Sequence, residues 1–153
     1  SPFFEPFTRL ASSIPAAEQE ALRKEARLAI ETHMLPAMRL DVTEPRWPVE
    51  HADAIFSANM TQASPWACSV GLLAGAGRVL VPGAPLIVYG PFKLDGQHTA
   101  ESNERFDESL RERDPSWGVR CASQLEASAR EHGLTLERRV AMPAENQCLV
   151  FRR

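Results

Sequence analysis

The chain has 153 residues, 44% apolar and 24% charged, with 12 prolines and 8 glycines; that is enough apolar content for one globular domain and excludes a disordered tail or a small disulfide scaffold. A formal charge of −3 offers no positive field to a polyphosphate backbone, so no nucleic-acid partner is expected. No apolar run reaches the roughly 20 residues of a bilayer span, so no membrane partner is expected either.

Residues 1–15, rich in Pro and Phe without a clean period, read as an N-terminal arm, and residues 16–153 as a single domain. Residues 16–33 carry a helical period, with Leu22, Ala26, Ala29, Ile30 and His33 on one face, and Pro36 stops it. Residues 37–42 read as a short strand, 43–48 as a rigid two-proline loop, and 52–59 as a second strand apolar enough to be covered on both faces. Ser64 as N-cap with Pro65 at the first helical position opens a helix carrying Trp66, Val70, Leu73, Gly77 and Leu80, closed by Pro82-Gly83.

Residues 85–90 make a third buried strand. A polar stretch from Pro91 to Thr99 leads into a strongly charged helix over 100–113, and 114–118 is a turn by composition. Ser123 and Glu126 offer a capping box to a further helix that stops at Gly133. Residues 134–140 and 147–151 pair as an antiparallel hairpin around a loop at 142–146. The fold class is therefore α/β, a sheet ending in an antiparallel β-hairpin.

The glycines begin at Gly71, so no glycine loop for a phosphate or nucleotide precedes that position. In Gly75-Ala76-Gly77 the third glycine of a dinucleotide loop would fall on Leu80, so these small residues read as a close approach of helix to sheet. Cys68, Cys121 and Cys148 are odd in number and far apart, as reduced thiols of a cytoplasmic protein would be. The four histidines share no ligand spacing, so no metal is expected; His98, in the polar stretch after a buried strand, is the best placed for function. The charged helix is either a solvated face or a lid over the strand ends, where open α/β sheets bind ligands. Polar or aromatic groups stand at all three of those ends: Asp41, Asn59, and Tyr89 with Phe92.

Several strings carry a family resemblance: Arg39-Leu40-Asp41-Val42, Asn59-Met60 with Ser64-Pro65-Trp66, Tyr89-Gly90-Pro91-Phe92, Ser102-Asn103 with Phe106-Asp107, Arg113-Asp114-Pro115, Trp117-Gly118 and Met142-Pro143-Ala144. From residue 37 to 153 the chain closely resembles small class I methyltransferase-like proteins grouped as domain of unknown function 938. The resemblance implies a Rossmann-like methyltransferase sheet with an antiparallel last strand and S-adenosylmethionine across the strand ends. It places Asp41 at the adenine amine with Val42 beside it, and Asn59 and Met60 at the methionine end. Tyr89, Phe92 and the lid around Asn103, with His98 in the stretch between, would shape the pocket of a small-molecule acceptor. No catalytic residue is implied.

Where that family has a first strand, a glycine-rich cofactor loop and a second strand, this sequence has residues 1–36, so an N-terminally truncated sheet is expected. Gln62 replaces a usual histidine, Cys121 an acidic residue and Glu145 an asparagine. Two functions follow: an S-adenosylmethionine-dependent methyltransferase, or a degenerate non-catalytic relative that binds or self-associates. Strand 53–59, left without its usual neighbour, would pair with 37–42 or with a second copy as a homodimer.

Overall fold

The computed structural model describes residues 15–153, which fall into two units divided between Arg39 and Leu40. The expected arm at 1–15 lies almost wholly outside the described residues. In the first unit, α1 (Ala16–His33) begins after Pro15, whose ring presets the φ of the entry, and ends where Met34 turns extended two residues before Pro36. None of its residues is buried.

The second unit contains β1 (Ile55–Ala58), α2 (Trp66–Val79), β2 (Pro85–Gly90), β3 (Phe92–Lys93), α3 (Glu101–Arg113), β4 (Arg120–Cys121), α4 (Ala122–Glu131), β5 (Thr135–Met142) and β6 (Asn146–Arg152). The main sheet runs β1-β2-β6-β5, parallel at β1–β2 and antiparallel thereafter, and β3 pairs β4 in a separate two-stranded ribbon. Leu86 and Val88 of β2 and Leu149 and Phe151 of β6 alternate onto one face, where Leu72, Leu73 and Ala76 of α2 and Leu125 and Ala129 of α4 close the core. The opposite face is open at Phe56, 64% exposed, so β1 is not the doubly covered strand its composition suggests.

The expected strand at 37–42 does not form. Asp41 Oδ1 accepts the Thr43 N–H at 2.9 Å and the Thr43 hydroxyl at 2.7 Å, so a local turn captures the backbone that a ladder would have used. The outer edge of β1 has no strand partner among the described residues, apart from the lone bridge of Ala52 to Leu80 beyond its start. The capping box also fails: Cys121 is the N-cap of α4, and Glu126 instead takes Arg130 at 2.6 Å.

The helix glycines meet something other than the sheet. A Cβ on Gly71 would lie 2.5 Å from the Val42 carbonyl oxygen, one on Gly75 1.9 Å from the Trp47 ring, and one on Gly77 2.3 Å from the His132 carbonyl oxygen. The first two positions fasten the 42–47 loop to α2. Gly75→Ala should therefore displace the Trp47 indole and lower stability by about 1–3 kcal/mol in chemical denaturation; an unchanged unfolding midpoint would contradict this packing.

Candidate site at the carboxyl ends of the strands

β1 leaves the sheet through Asn59, whose φ of 57° suits asparagine better than any branched residue. Its N–H still donates to the Tyr89 carbonyl at 2.9 Å, so the turn remains tied to β2. Asn59 Oδ1 accepts from Gln62 Nε2 at 2.9 Å, and Gln62 is buried against Gly90, where a Cβ would come within 3.1 Å of its Oε1. The Met60 carbonyl accepts the Ser64 hydroxyl at 2.7 Å, which is why Ser64 does not cap α2; Pro65 stands at that position.

Arg120 locks this ledge from the far side. Its Nε donates to the Thr61 carbonyl at 3.0 Å, its Nη2 to the carbonyls of Ser64 at 2.7 Å and Ser116 at 2.8 Å, and its guanidinium lies 5.9 Å from the centre of the Trp66 ring. The Gly118 N–H adds a bond to the Gln62 carbonyl at 3.0 Å. Residues 59–64 are thus a fixed rim.

On the other side of β2, burial raises the Tyr89 hydroxyl above its ordinary value and Cys148 adds to the rise, against a hydrogen bond with Asn146 that pulls it down. Phe92 is fully buried in the core and presents no surface to a ligand. Asn103, buried on α3, donates to Thr99 Oγ1 at 3.2 Å and to the Glu145 carbonyl at 3.2 Å. That second bond grips the hairpin turn, where Ala144 (φ 58°) and Glu145 (φ 57°) are both left-handed without being glycine, at roughly 1–2 kcal/mol each. Between this turn and the segment after β3 lies a cavity of about 320 Å³ lined by Leu94, Thr99, Arg139, Met142, Asn146 and Gln147, among others. Gln147 Oε1 is buried with no hydrogen-bond partner.

α3 is neither a purely solvated face nor a loose lid. Its Asp107 carboxylate accepts the Val119 N–H at 2.7 Å and lies 3.3 Å from Arg111 Nε, 3.4 Å from His98 Nε2 and 4.0 Å from Lys93 Nζ. Burial pushes this carboxyl up, but the Val119 N–H, then the Arg111 hydrogen bond and charge and the Lys93 charge outweigh it, leaving it below its ordinary value. Gly118 is required there, because a Cβ would sit 2.9 Å from Asp107 Oδ1.

The structure therefore joins Asn59 to Gln62, Met60 to Ser64, Tyr89 to Asn146, Asn103 to Glu145, and His98 to Asp107. Asp41 and Val42 belong to the loop on α2: the Val42 carbonyl meets Gly71 and, at 3.4 Å, the Trp47 Nε1. The resemblance includes Asp107 in one of its strings without giving it a role, and the sequence marks neither Arg120 nor Gln147; apart from Arg111 for Asp107 and Ser116 for Arg120, their partners are distant in the chain. Among the described residues, no three His, Cys, Asp or Glu side chains gather into a metal-binding group, and no helix is long and apolar enough to cross a membrane.

A family profile described as a protein of unknown function, DUF938, matches residues 2–153. Among solved structures, the mitomycin 7-O-methyltransferase MmcR is similar at 22% identity and a TM-score of 0.67, over 90% of this chain and 39% of that one. CalO1, a methyltransferase of calicheamicin biosynthesis in its SAH-bound form, gives 20% identity and a TM-score of 0.66 over 80% of this chain and 35% of that one. An O-methyltransferase family protein from Burkholderia thailandensis gives 15% and 0.68 over 86% and 40%. The likeness shows a methyltransferase-like α/β fold, and this chain spans well under half the length of each of these structures.

The depressed Asp107 carboxyl makes stability depend on acid. Its contribution is fully present above the unfolded-state value of ~3.9 and is lost as pH falls through the lower folded value. Asp107→Asn should remove that part of the acid dependence and cost about 3–5 kcal/mol at neutral pH in urea unfolding; an unchanged pH profile would contradict the assignment.

Proposed function

The chain belongs to the DUF938 family, and from that premise we propose that it is an S-adenosylmethionine-dependent methyltransferase acting on a small polar acceptor. The observation that carries the reading is the sheet order β1-β2-β6-β5 with a fixed turn at Asn59 where β1 ends beside β2, the strand end at which open α/β sheets receive a ligand.

The residues fit one part of that cofactor. The Asp41 carboxylate has the chemistry to accept from an exocyclic amine, and Asn59 and Met60 stand at the strand end that would meet the methionine portion. Gly71, Gly75 and Gly77 are occupied by Val42, Trp47 and His132, so none of these three is left to cradle a cofactor carboxylate. When bound, S-adenosylmethionine supplies an electrophilic methyl group. The protein's share is to hold and align: Gln62 and Arg120 fix the rim, and the cavity beside the hairpin offers Thr99, Asn146 and Gln147 to the acceptor. Alignment of this kind supplies much of the rate in a displacement that needs no strong base.

Calorimetric titration with S-adenosylmethionine and S-adenosylhomocysteine tests the reading. Saturable binding is expected, weakened about tenfold by Asp41→Asn, which keeps the local turn but removes the charge, a loss of about 1.4 kcal/mol. No binding by the folded chain would leave the non-catalytic alternative in its place.

A further inference from the structure

The charge around Asp107 does not balance. Lys93, Arg111 and Arg120 line one cavity of about 370 Å³, together with Gly96, Cys121 and Ser123 among others. Asp107 is the carboxylate these cations share: 4.0 Å from Lys93 Nζ, 3.3 Å from Arg111 Nε, and close enough to Arg120 for its charge to be felt. The hydrogen bonds of Arg120 end on the neutral backbone carbonyls of Thr61, Ser64 and Ser116. Three permanent cations against one carboxylate leave the cavity positive. Burial first, and then the like charge of Arg111, pull the Arg120 guanidinium below its ordinary value, so the cations crowd one another.

The floor of the cavity has the same sign. α4 starts here with no acidic residue in its first turn and with only the Cys121 thiol as its N-cap side chain, so the partial positive charge of the helix end meets no carboxylate. The N–H groups of Gly96, Ser123 and Gln124 converge on Cys121 Sγ, a weak acceptor. Burial raises that thiol, but the Ser123 hydroxyl and these N–H groups outweigh it and hold it below its usual value, the mark of a site that favours negative charge.

We propose that this cavity binds a phosphate group, held by Lys93, Arg111 and Arg120 over the first turn of α4. A tetrahedral oxyanion offers acceptors to all three cations and supplies the negative charge that the lining lacks. The site requires neither the cofactor nor the strand-end residues.

Amide NMR titration of the intact chain tests this, with inorganic phosphate in one arm, a simple alkyl phosphate monoester in another, and sodium chloride at matched ionic strength as control. Saturable shifts at Gly96, Ser123 and Gln124 are expected in the phosphate arms only, with phosphate slowing alkylation of Cys121 severalfold. A tighter fit for the monoester would identify a phosphate carried on a small molecule, and equal or weaker binding would identify the free ion. Arg111→Gln and, separately, Lys93→Gln should each weaken binding at least tenfold while retaining a dispersed spectrum. Shifts that chloride reproduces, or that both folded variants keep unchanged, would overturn the proposal.

Discussion

The position of α3 rests on one buried carboxylate. Of its 13 residues only Asn103, Asp107 and Leu110 are buried, so the helix cannot be held chiefly by apolar area. Burying Leu110 is worth about 1.5–3 kcal/mol, whereas a buried charge stripped of its partners costs about 3–5 kcal/mol. Asp107 therefore decides where α3 lies: it fastens the helix to the Val119 backbone, draws in His98 and Lys93, and requires a glycine at 118. Asn103 extends the same logic to the hairpin, holding a turn that its own residues, Ala144 and Glu145, do not favour.

From there the rim of the sheet is assembled by hydrogen bonds between segments far apart in the chain. Arg120 reaches back 59 residues to Thr61 and 56 to Ser64, and Asn103 reaches 42 forward to Glu145. Such a rim is tied at several points at once, and the Thr61 carbonyl, on a buried residue, would be left short of a donor without Arg120. It also places positive charge, through Arg120, Arg111 and Lys93, beside a helix start that carries none of its usual acidic compensation.

What could be read from the sequence follows from this division between local and distant causes. Strand 85–90 coincides with its apolar, β-branched run, and the helices over 66–79 and 101–113 and the terminal hairpin follow from periodicity and Pro or Gly stops. Strand 37–42 had the right composition, but the Asp41 side chain turns the chain locally at Thr43. Ser64 and Ser123 look like caps, yet each side chain has another partner: the Met60 carbonyl for one, Cys121 Sγ for the other. Position at the expected strand ends marked Asp41, Asn59, Tyr89 and Phe92, and the family resemblance added Val42, Met60 and Asn103. Phe92 proved to be core, while the roles of Asp107, Arg120 and Gln147 were not legible, because most of their partners are brought to them only by the fold.

The sheet order and the family membership tie the chain to methyltransferase-like proteins, but the rim depends first on the Asp107 anchor. The most direct measure of that anchor is native-state hydrogen exchange at the Val119 amide, which donates to Asp107 Oδ1 at 2.7 Å. At neutral pH the account predicts protection comparable to the amides shared by β2 and β6, lost in Asp107→Ala while those sheet amides stay protected. Exchange at Val119 as fast as in an exposed turn of the unsubstituted protein would contradict it.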